Sequence, residues 1–321
     1  MNPQNELKHT LTAWWEYMAI RAACQLDLFD LINSKVTTFE EIAARIHAKP
    51  ELIRTLLHAL KTTDYLQKGS RGWELTPKGF LLTESHPESM KQAAILWGGE
   101  HINAWQGLSE TIKTGKPAFE QLFGSAFFDY LADHPPQLVN YHRAMEEYAR
   151  EDYKKLRQLY DFSAHDALMD VGGGTGALLQ TFAKSALETD FVLFDLPEVI
   201  KIAGDSNFIQ TIGGNFFESI PSVADGIFLA RVLHDWDDER ALVILRNCHA
   251  ALPPNGKLYL LENHADRLDD GAALLSLNMA VICKSHERTS TQYRNLLSQA
   301  GFQFDSEIQI NALQWMIIAK K

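Results

Sequence analysis

The run Asp170-Val171-Gly172-Gly173-Gly174-Thr175-Gly176 constrains this chain more than any other segment. It closes the apolar, strand-like stretch 167–171 and precedes the apolar helix-forming stretch 177–183. A strand that turns through glycines into a helix presents backbone N–H groups to a ligand, and glycine tolerates the positive φ such a turn needs. Two cofactors fit the loop. A dinucleotide fingerprint can be laid on Gly172, Gly174 and Ala177, with Asp195 at the end of the next strand to hold a ribose. The second fit sets an acidic residue two places before three alternating glycines, a pattern met by Asp170, Gly172, Gly174 and Gly176. A carboxylate at Asp170 repels a pyrophosphate but welcomes a cofactor carrying an α-amino group. The loop therefore favours S-adenosylmethionine over NAD, the plain alternative being a glycine turn with no ligand.

The remaining pattern supplies a frame. Apolar stretches 191–194, 208–212, 226–230 and 257–262 alternate with helical stretches, as in a parallel doubly wound sheet. Two β-rich runs, 302–310 and 314–319, suggest an antiparallel hairpin closing one edge. Upstream, between residues 11 and 32, Trp14, Met18, Ala22, Leu26 and Phe29 recur at helical spacing, and Trp15, Ile20 and Ala23 widen the stripe beyond what a lone surface helix needs. Such a helix needs a partner. Thr38 as cap of a helix over 40–46, Pro50 opening a helix over 51–62, and strands at 65–68 and 73–75 around a turn at 69–72 give the order of a winged helix. Residues 88–160 read as further helices, broken at Gly115-Lys116-Pro117 and restarted at Pro135-Pro136. The expected fold is α/β: a Rossmann-like doubly wound sheet with a C-terminal antiparallel hairpin over 161–321. A helical and winged-helix dimerisation domain over 1–100 and a helical connector over 101–160, contributing to the acceptor pocket, are expected to precede it.

Charge narrows the function. The 321 residues carry 30 Lys+Arg against 41 Asp+Glu, a net charge of −11, which argues against nucleic-acid and anionic-membrane partners. The second winged-helix helix offers a groove only Arg54, His58 and Lys61 beside Leu52, Leu56, Leu57 and Leu60, so dimerisation or packing is expected instead of DNA binding. Cys24, Cys248 and Cys283 form no C-x-x-C pair and read as small buried hydrophobes in a reducing compartment. Residues 1–10 lack the order of a signal peptide, and no stretch approaches the ~18–20 apolar residues of a membrane span, so a cytoplasmic location is expected.

From about Trp14 to its end the chain resembles the class I small-molecule O-methyltransferases, specifically the bacterial relatives of the plant caffeate-type enzymes. The resemblance is carried by the loop at 170–176, Phe194-Asp195-Leu196-Pro197, Gly213-Gly214-Asn215-Phe216-Phe217, Arg231-Val232-Leu233-His234-Asp235-Trp236-Asp237-Asp238-Glu239, Glu262 and His286-Glu287-Arg288-Thr289, in the family's order. It implies transfer of the methyl of S-adenosylmethionine to a hydroxyl of a small aromatic or polyketide-like metabolite, by a homodimer joined through the N-terminal domain. It also implies that the glycine loop cradles the methionine portion, that Asp195 accepts hydrogen bonds from both ribose hydroxyls, and that Asn215 and Phe216 lie beside the adenine, with Leu196 and Arg231 also at the cofactor. Asn215 stands where the family usually has Asp; its amide oxygen can still meet the adenine's exocyclic amine.

Methyl transfer from a sulfonium to a hydroxyl is an in-line displacement in which the acceptor oxygen loses its proton, so a base near neutral pKa helps. His234 follows the stretch 226–230 at the carboxyl end of the sheet, where such folds place ligands. Alone it reads as a cap or surface group; within the family's string it is the expected base. The resemblance implies that Glu262 and Glu287 flank it, orienting the ring and stabilising the imidazolium. Asp235 is expected either to hold a substrate group or to cap the following helix, for which Asp237 and Asp238 are the alternatives. No metal is expected, because hard oxygen ligands in the magnesium-enzyme arrangement are not present and the acidic run 237–239 reads as charge at a helix N-terminus.

Departures from the family concentrate near the acceptor. Bacterial members usually show D-L-x-M-L-V followed by G-G-R-E-R-T; this chain has Ser276-Leu277-Asn278-Met279-Ala280-Val281 and Lys284-Ser285-His286-Glu287-Arg288-Thr289. Loss of two glycines alters the loop that carries Glu287, and His286 adds a titratable neighbour. Trp97, His101, Trp105 and Met145, together with Asp235, Asn278 and His286, are expected to line the acceptor pocket, with core packing as the alternative for the first four. A relative that keeps the cofactor for decarboxylation, hydroxylation or a pericyclic rearrangement is the second functional reading. Retention of His234, Glu262 and Glu287 favours methyl transfer.

Overall fold

Helix Pro3–Gln25 starts with proline in its first turn, where a missing N–H costs nothing, and Asn2 caps it by accepting the N–H of Gln4 at 3.0 Å. In the computed structural model, which describes residues 2–183, 188–266 and 272–321, this helix stops at Leu26 and a second one runs Leu28–Asn33. The single helix expected over 11–32 is therefore two. Asp27 between them has φ 52°, a left-handed conformation that ends the helical ladder, and its carboxylate accepts a 2.7 Å bond from the buried Lys91.

The chain divides into two compact units, Met1–Ile102 and Asn103–Lys321. In the first, Ile20, Cys24, Phe29 and Ile32 pack with Ile42, Leu57, Leu60 and Trp73 in one core. Helix Phe39–Arg45 is capped by Thr38, helix Pro50–Thr62 opens on its proline, and β1 (Leu66–Gly69) pairs antiparallel with β2 (Gly72–Leu75), completing the winged helix. Gly72 has φ 135°, and a Cβ there would lie 2.5 Å from the carbonyl oxygen of Thr37, so only glycine fits. The opening helix leaves Leu7, Leu11, Trp14 and Trp15 more than half exposed.

In the second unit, helices between Leu108 and Leu159 precede a seven-stranded sheet of order β5-β4-β3-β6-β7-β9-β8. Its strands are β3 (Ala167–Val171), β4 (Asp190–Asp195), β5 (Gln210–Gly213), β6 (Gly226–Ala230), β7 (Lys257–Asn263), β8 (Gln303–Gln309) and β9 (Gln314–Lys320). The first five are parallel; β9 lies antiparallel between β7 and β8, so the C-terminal hairpin closes one edge as expected. Parallel strands covered on both faces are apolar along their length, which is why β6 reads Gly-Ile-Phe-Leu-Ala without alternation. Helix Asp238–Ala251 buries Ile244, Leu245 and Cys248 against Ile227, Leu229, Leu258 and Leu260. Truncating one such leucine to alanine costs about 2–5 kcal/mol. Strand order reverses between β3 and β6, and a crevice at the carboxyl ends on either side of that switch is where ligands bind in this architecture. Asp170, Asp195, His234 and Glu262 all lie at or just beyond those ends. Among the described residues no helix is long and apolar enough to cross a membrane, and no disulfide joins the three cysteines.

Candidate active site

Gly172, Gly174 and Gly176 adopt φ values of 71°, 60° and 80°, so the alternating glycines of the loop are those that need positive φ. The loop is tied to the next strand: the N–H of Gly174 donates to Asp195 Oδ2 at 2.8 Å, and Leu196 N–H donates to Oδ1 at 2.7 Å. Beneath the loop Asp170 is 1% exposed, and its Oδ1 has no hydrogen-bond partner among the described residues. Burial, and next the charge of Asp195, push its carboxyl up to about 8. A buried carboxyl with an unpartnered oxygen under a glycine cradle, once ionised, fits the α-ammonium end of S-adenosylmethionine.

Around that cradle the expected residues fall out unequally. Asn215 uses its amide oxygen to accept the N–H of Phe217 at 3.0 Å and its amide nitrogen to donate to Glu218 at 3.3 Å, closing a local turn. Phe216 is half-buried, and its carbonyl oxygen accepts a 2.8 Å bond from Asn247. Arg231 takes a left-handed φ of 56° directly after β6, and its guanidinium lies 3.6 Å from Asp152. Strain of this kind clusters at functional sites. Helix Pro135–Asp152 also reaches the loop: Glu146 accepts the hydroxyl of Thr175 at 3.1 Å, and a Cβ on Gly174 would approach His142 Nδ1 to 3.2 Å. His142, Glu146 and Asp152 escape sequence reasoning because their helix carries no motif and contacts the loop only through the fold.

His234 sits on the single helical turn Leu233–Asp235, 4% exposed. Its Nδ1 is 2.9 Å from Glu287 Oε1, which places the ring proton on Nδ1 and leaves Nε2 for an acceptor. Burial opposes the charged ring, but the carboxylates of Glu287, Asp235 and Glu262 outweigh it and raise His234 to about 9. Burial likewise works against the Glu287 carboxylate, yet His234 and a 3.4 Å bond from Asn263 hold it below the usual range. Glu262 plays a different part. Fully buried, it accepts the backbone N–H groups of Val232 at 3.1 Å and Leu233 at 2.7 Å with Oε1, so it grips the turn and makes no hydrogen bond to the ring. Burial pushes Glu262 up to about 7 against the pull of His234. Helix Asp238–Ala251 is capped by Asp237, which accepts the N–H of Arg240 at 3.1 Å; Asp235 does not cap it and lies 3.7 Å from His234 Nε2.

The loop that lost its glycines still delivers Glu287. Lys284 takes a left-handed φ of 57°, the conformation glycine tolerates best, Ser285 donates to the carbonyl of Trp236 at 3.0 Å, and the N–H of Glu287 donates to Ser276 Oγ at 3.2 Å. Arg288, part of the string that carries Glu287 but given no role by the sequence reading, is fully buried and donates three bonds, to the carbonyls of Leu233 and Trp236 and to Asp238. His286, just ahead of Glu287, is exposed.

The remaining expected acceptor residues divide between the two units. Trp97 and His101 belong to the first, their rings edge to face at 4.8 Å, and burial lowers His101 to about 4. In the second, Trp105 Nε1 donates to Asn278 Oδ1 at 2.8 Å, joining two of them, and Met145 is half-buried on helix Pro135–Asp152. Beside the turn that carries His234, Phe128 stacks on Trp236 at 5.3 Å and Tyr141 meets Phe128 edge-on at 5.9 Å. Cys283 Sγ lies 4.0 Å from Asp235.

Two family models match the chain. Residues 105–303 match the O-methyltransferase domain and residues 8–85 the O-methyltransferase dimerisation domain. The chain is 32% identical to the phenazine O-methyltransferase of Lysobacter antibioticus over 92% of this chain and 90% of that protein. It is 33% identical to 3-amino-4-hydroxybenzoate 4-O-methyltransferase of Streptomyces cremeus over 92% and 84%. Human N-acetylserotonin methyltransferase, solved with S-adenosylmethionine, superposes with a TM-score of 0.90 at 26% identity, covering 100% of this chain and 98% of that one. The chain belongs to the S-adenosylmethionine-dependent O-methyltransferase family, with the family's dimerisation domain ahead of its catalytic domain.

Proposed function

We propose that this enzyme methylates a hydroxyl group on an aromatic or polyketide-like small molecule, with His234 as general base. The observation that carries the proposal is the buried His234–Glu287 pair beside the Trp236–Phe128 stack. A ring raised to about 9 is a stronger base than free imidazole, and in its neutral form it can take the proton of a phenol, whose ordinary pKa is about 10. The relatives named for phenazine and hydroxybenzoate acceptors support a ring-bearing substrate.

Bound S-adenosylmethionine supplies the methyl group on a sulfonium. Asp170 holds its α-amino group, Gly172, Gly174 and Gly176 cradle the methionine portion, and Asp195 accepts the ribose hydroxyls. Asn215, Phe216, Leu196 and Arg231 surround the rest. His234 Nε2 takes the acceptor proton while Glu287 bonds the far side of the ring, and Glu262 and Asp235 add negative charge that stabilises the imidazolium. Trp105, Met145, Asp235 and Asn278 shape the acceptor side. The same reading makes the enzyme a cytoplasmic homodimer, supported by three cysteines without a disulfide, the matched dimerisation domain and the exposed stripe of Leu7, Leu11, Trp14 and Trp15.

Incubation with a panel of phenolic and polyketide acceptors tests the reading. S-adenosylhomocysteine and a product heavier by one methylene are expected; an acceptor consumed while the cofactor returns unchanged overturns it.

A further inference from the structure

We infer that Arg288 is a positioning residue for His234, holding by its guanidinium the backbone turn on which the imidazole stands. The inference rests on the reading of His234 as base.

The guanidinium is fully buried, and each of its nitrogens meets a different oxygen: Nη1 donates to the carbonyl of Leu233 at 2.7 Å, Nη2 to the carbonyl of Trp236 at 2.6 Å, and Nε to Asp238 Oδ1 at 2.8 Å. The two carbonyls bracket His234 and Asp235, and Asp238 begins the next helix. Opposite charges thus hold opposite ends of the turn's peptides, Glu262 on the N–H groups of Val232 and Leu233 and Arg288 on the carbonyls beyond. The turn's own backbone bonds are the long ones Asp235 N–H to Val232 and Trp236 N–H to Leu233, both 3.2 Å. Its conformation therefore depends on outside contacts. Glu287 and Arg288, adjacent in sequence, act on one target: the first fixes the ring, the second its backbone.

The planar fork reaches three separated oxygens from three different nitrogens, whereas an ammonium must direct its three donors from a single atom. If Arg288 merely neutralised charge in the core, lysine would serve. Misplacing a reacting group by about 1 Å costs roughly 10²-fold in rate, so losing the fork is expected to act on turnover.

The test uses full-length Arg288→Lys and Asp238→Asn, the latter at an exposed position that folds whatever the fate of the former. For Arg288→Lys, kcat is expected to fall roughly 10–10²-fold, with acceptor KM and the calorimetric affinity for S-adenosylmethionine within a few-fold of wild type. Nuclear magnetic resonance titration of the His234 ring in the cofactor-free protein is expected to move downward as its registry with Glu287 loosens. Asp238→Asn is expected to give a smaller loss of kcat that does not add to that of Arg288→Lys. Wild-type kcat with an unmoved titration in Arg288→Lys, or additive losses in the double variant, overturns the inference. The titration distinguishes this from failure of the base assignment, which would instead appear as near-normal turnover in His234→Ala.

Discussion

His234 Nδ1 and Glu287 Oε1 lie 2.9 Å apart although 53 residues separate them, and both are buried. Against burial, Glu287, with help from Asp235 and Glu262, raises the ring from its ordinary 6.5 to about 9. Because the folded value exceeds the unfolded one, the pair contributes stability that is complete below pH 6.5 and lost as pH rises from 6.5 through 9. Only the neutral ring accepts a proton, so kcat/KM is expected to rise with pH toward an inflexion near 9. Glu287→Gln removes the strongest charge favouring the imidazolium. Its inflexion is expected at lower pH, with the plateau rate reduced roughly 10²-fold; a pH–rate profile with an unmoved inflexion would sink the assignment.

Asp170 is expected to couple cofactor binding to proton release. Its carboxyl, raised by burial and Asp195 from 3.8 to about 8, is protonated at pH 7 and must ionise to meet an ammonium. Calorimetry in buffers of different ionisation enthalpy is expected to show release of a proton and an affinity that rises from pH 6 toward 8. Asp170→Asn is expected to abolish the release and weaken binding roughly 10–100-fold, the worth of one charge-assisted hydrogen bond. The raised value also means that the contribution of Asp170 to stability is full below pH 3.8 and declines as pH climbs toward 8, so the same variant is expected to raise the Tm of the cofactor-free protein at pH 8. Equal proton release in both proteins contradicts this role.

Lys284→Gly is expected to stabilise. The lysine occupies a left-handed φ of 57°, which costs an L residue roughly 1–2 kcal/mol. Glycine gives back part of that in unfolded-state entropy, leaving about 0.5–1 kcal/mol. The substitution also removes the ion pair of Lys284 with Asp237, which at 3.8 Å and on the surface contributes little. Turnover is expected to stay within about twofold because Ser276 and Arg288 still hold the loop. Denaturant melts showing lower stability contradict the strain argument.

Trp14→Glu combined with Trp15→Glu is expected to separate the dimer. Both rings are more than half exposed on helix Pro3–Gln25. Burying each at an interface contributes about 1.5 kcal/mol or more, so the dissociation constant is expected to rise at least ~100-fold. Sedimentation at micromolar concentration that finds the dimer intact rules out this face.

Much of the frame was legible. β3 and β6 run over the residues their apolar runs indicated, Thr38 caps its helix, and the glycine loop has its positive φ values at the alternating positions. Each depends on side-chain period or on the conformational range of one residue type, both local. The break at Asp27 was not legible, because the helical stripe continues through it while Lys91, far along the chain, holds the carboxylate at the turn. Nor was the turn closed by Asn215, whose amide serves its own backbone first.

The alternation of strands and helices in the sheet-bearing half and the cofactor class were legible in the sequence alone, since motif and periodicity act over a few residues. Only the tertiary structure decided how the two glutamates divide their work, Glu287 to the imidazole and Glu262 to the backbone beneath it. It alone brought Arg288 to the carbonyls of Leu233 and Trp236. Hydrogen bonds are directional and short, so which oxygen meets which donor follows from how β7 and the loop ending at Arg288 pack around one turn. No spacing within the chain encodes that arrangement.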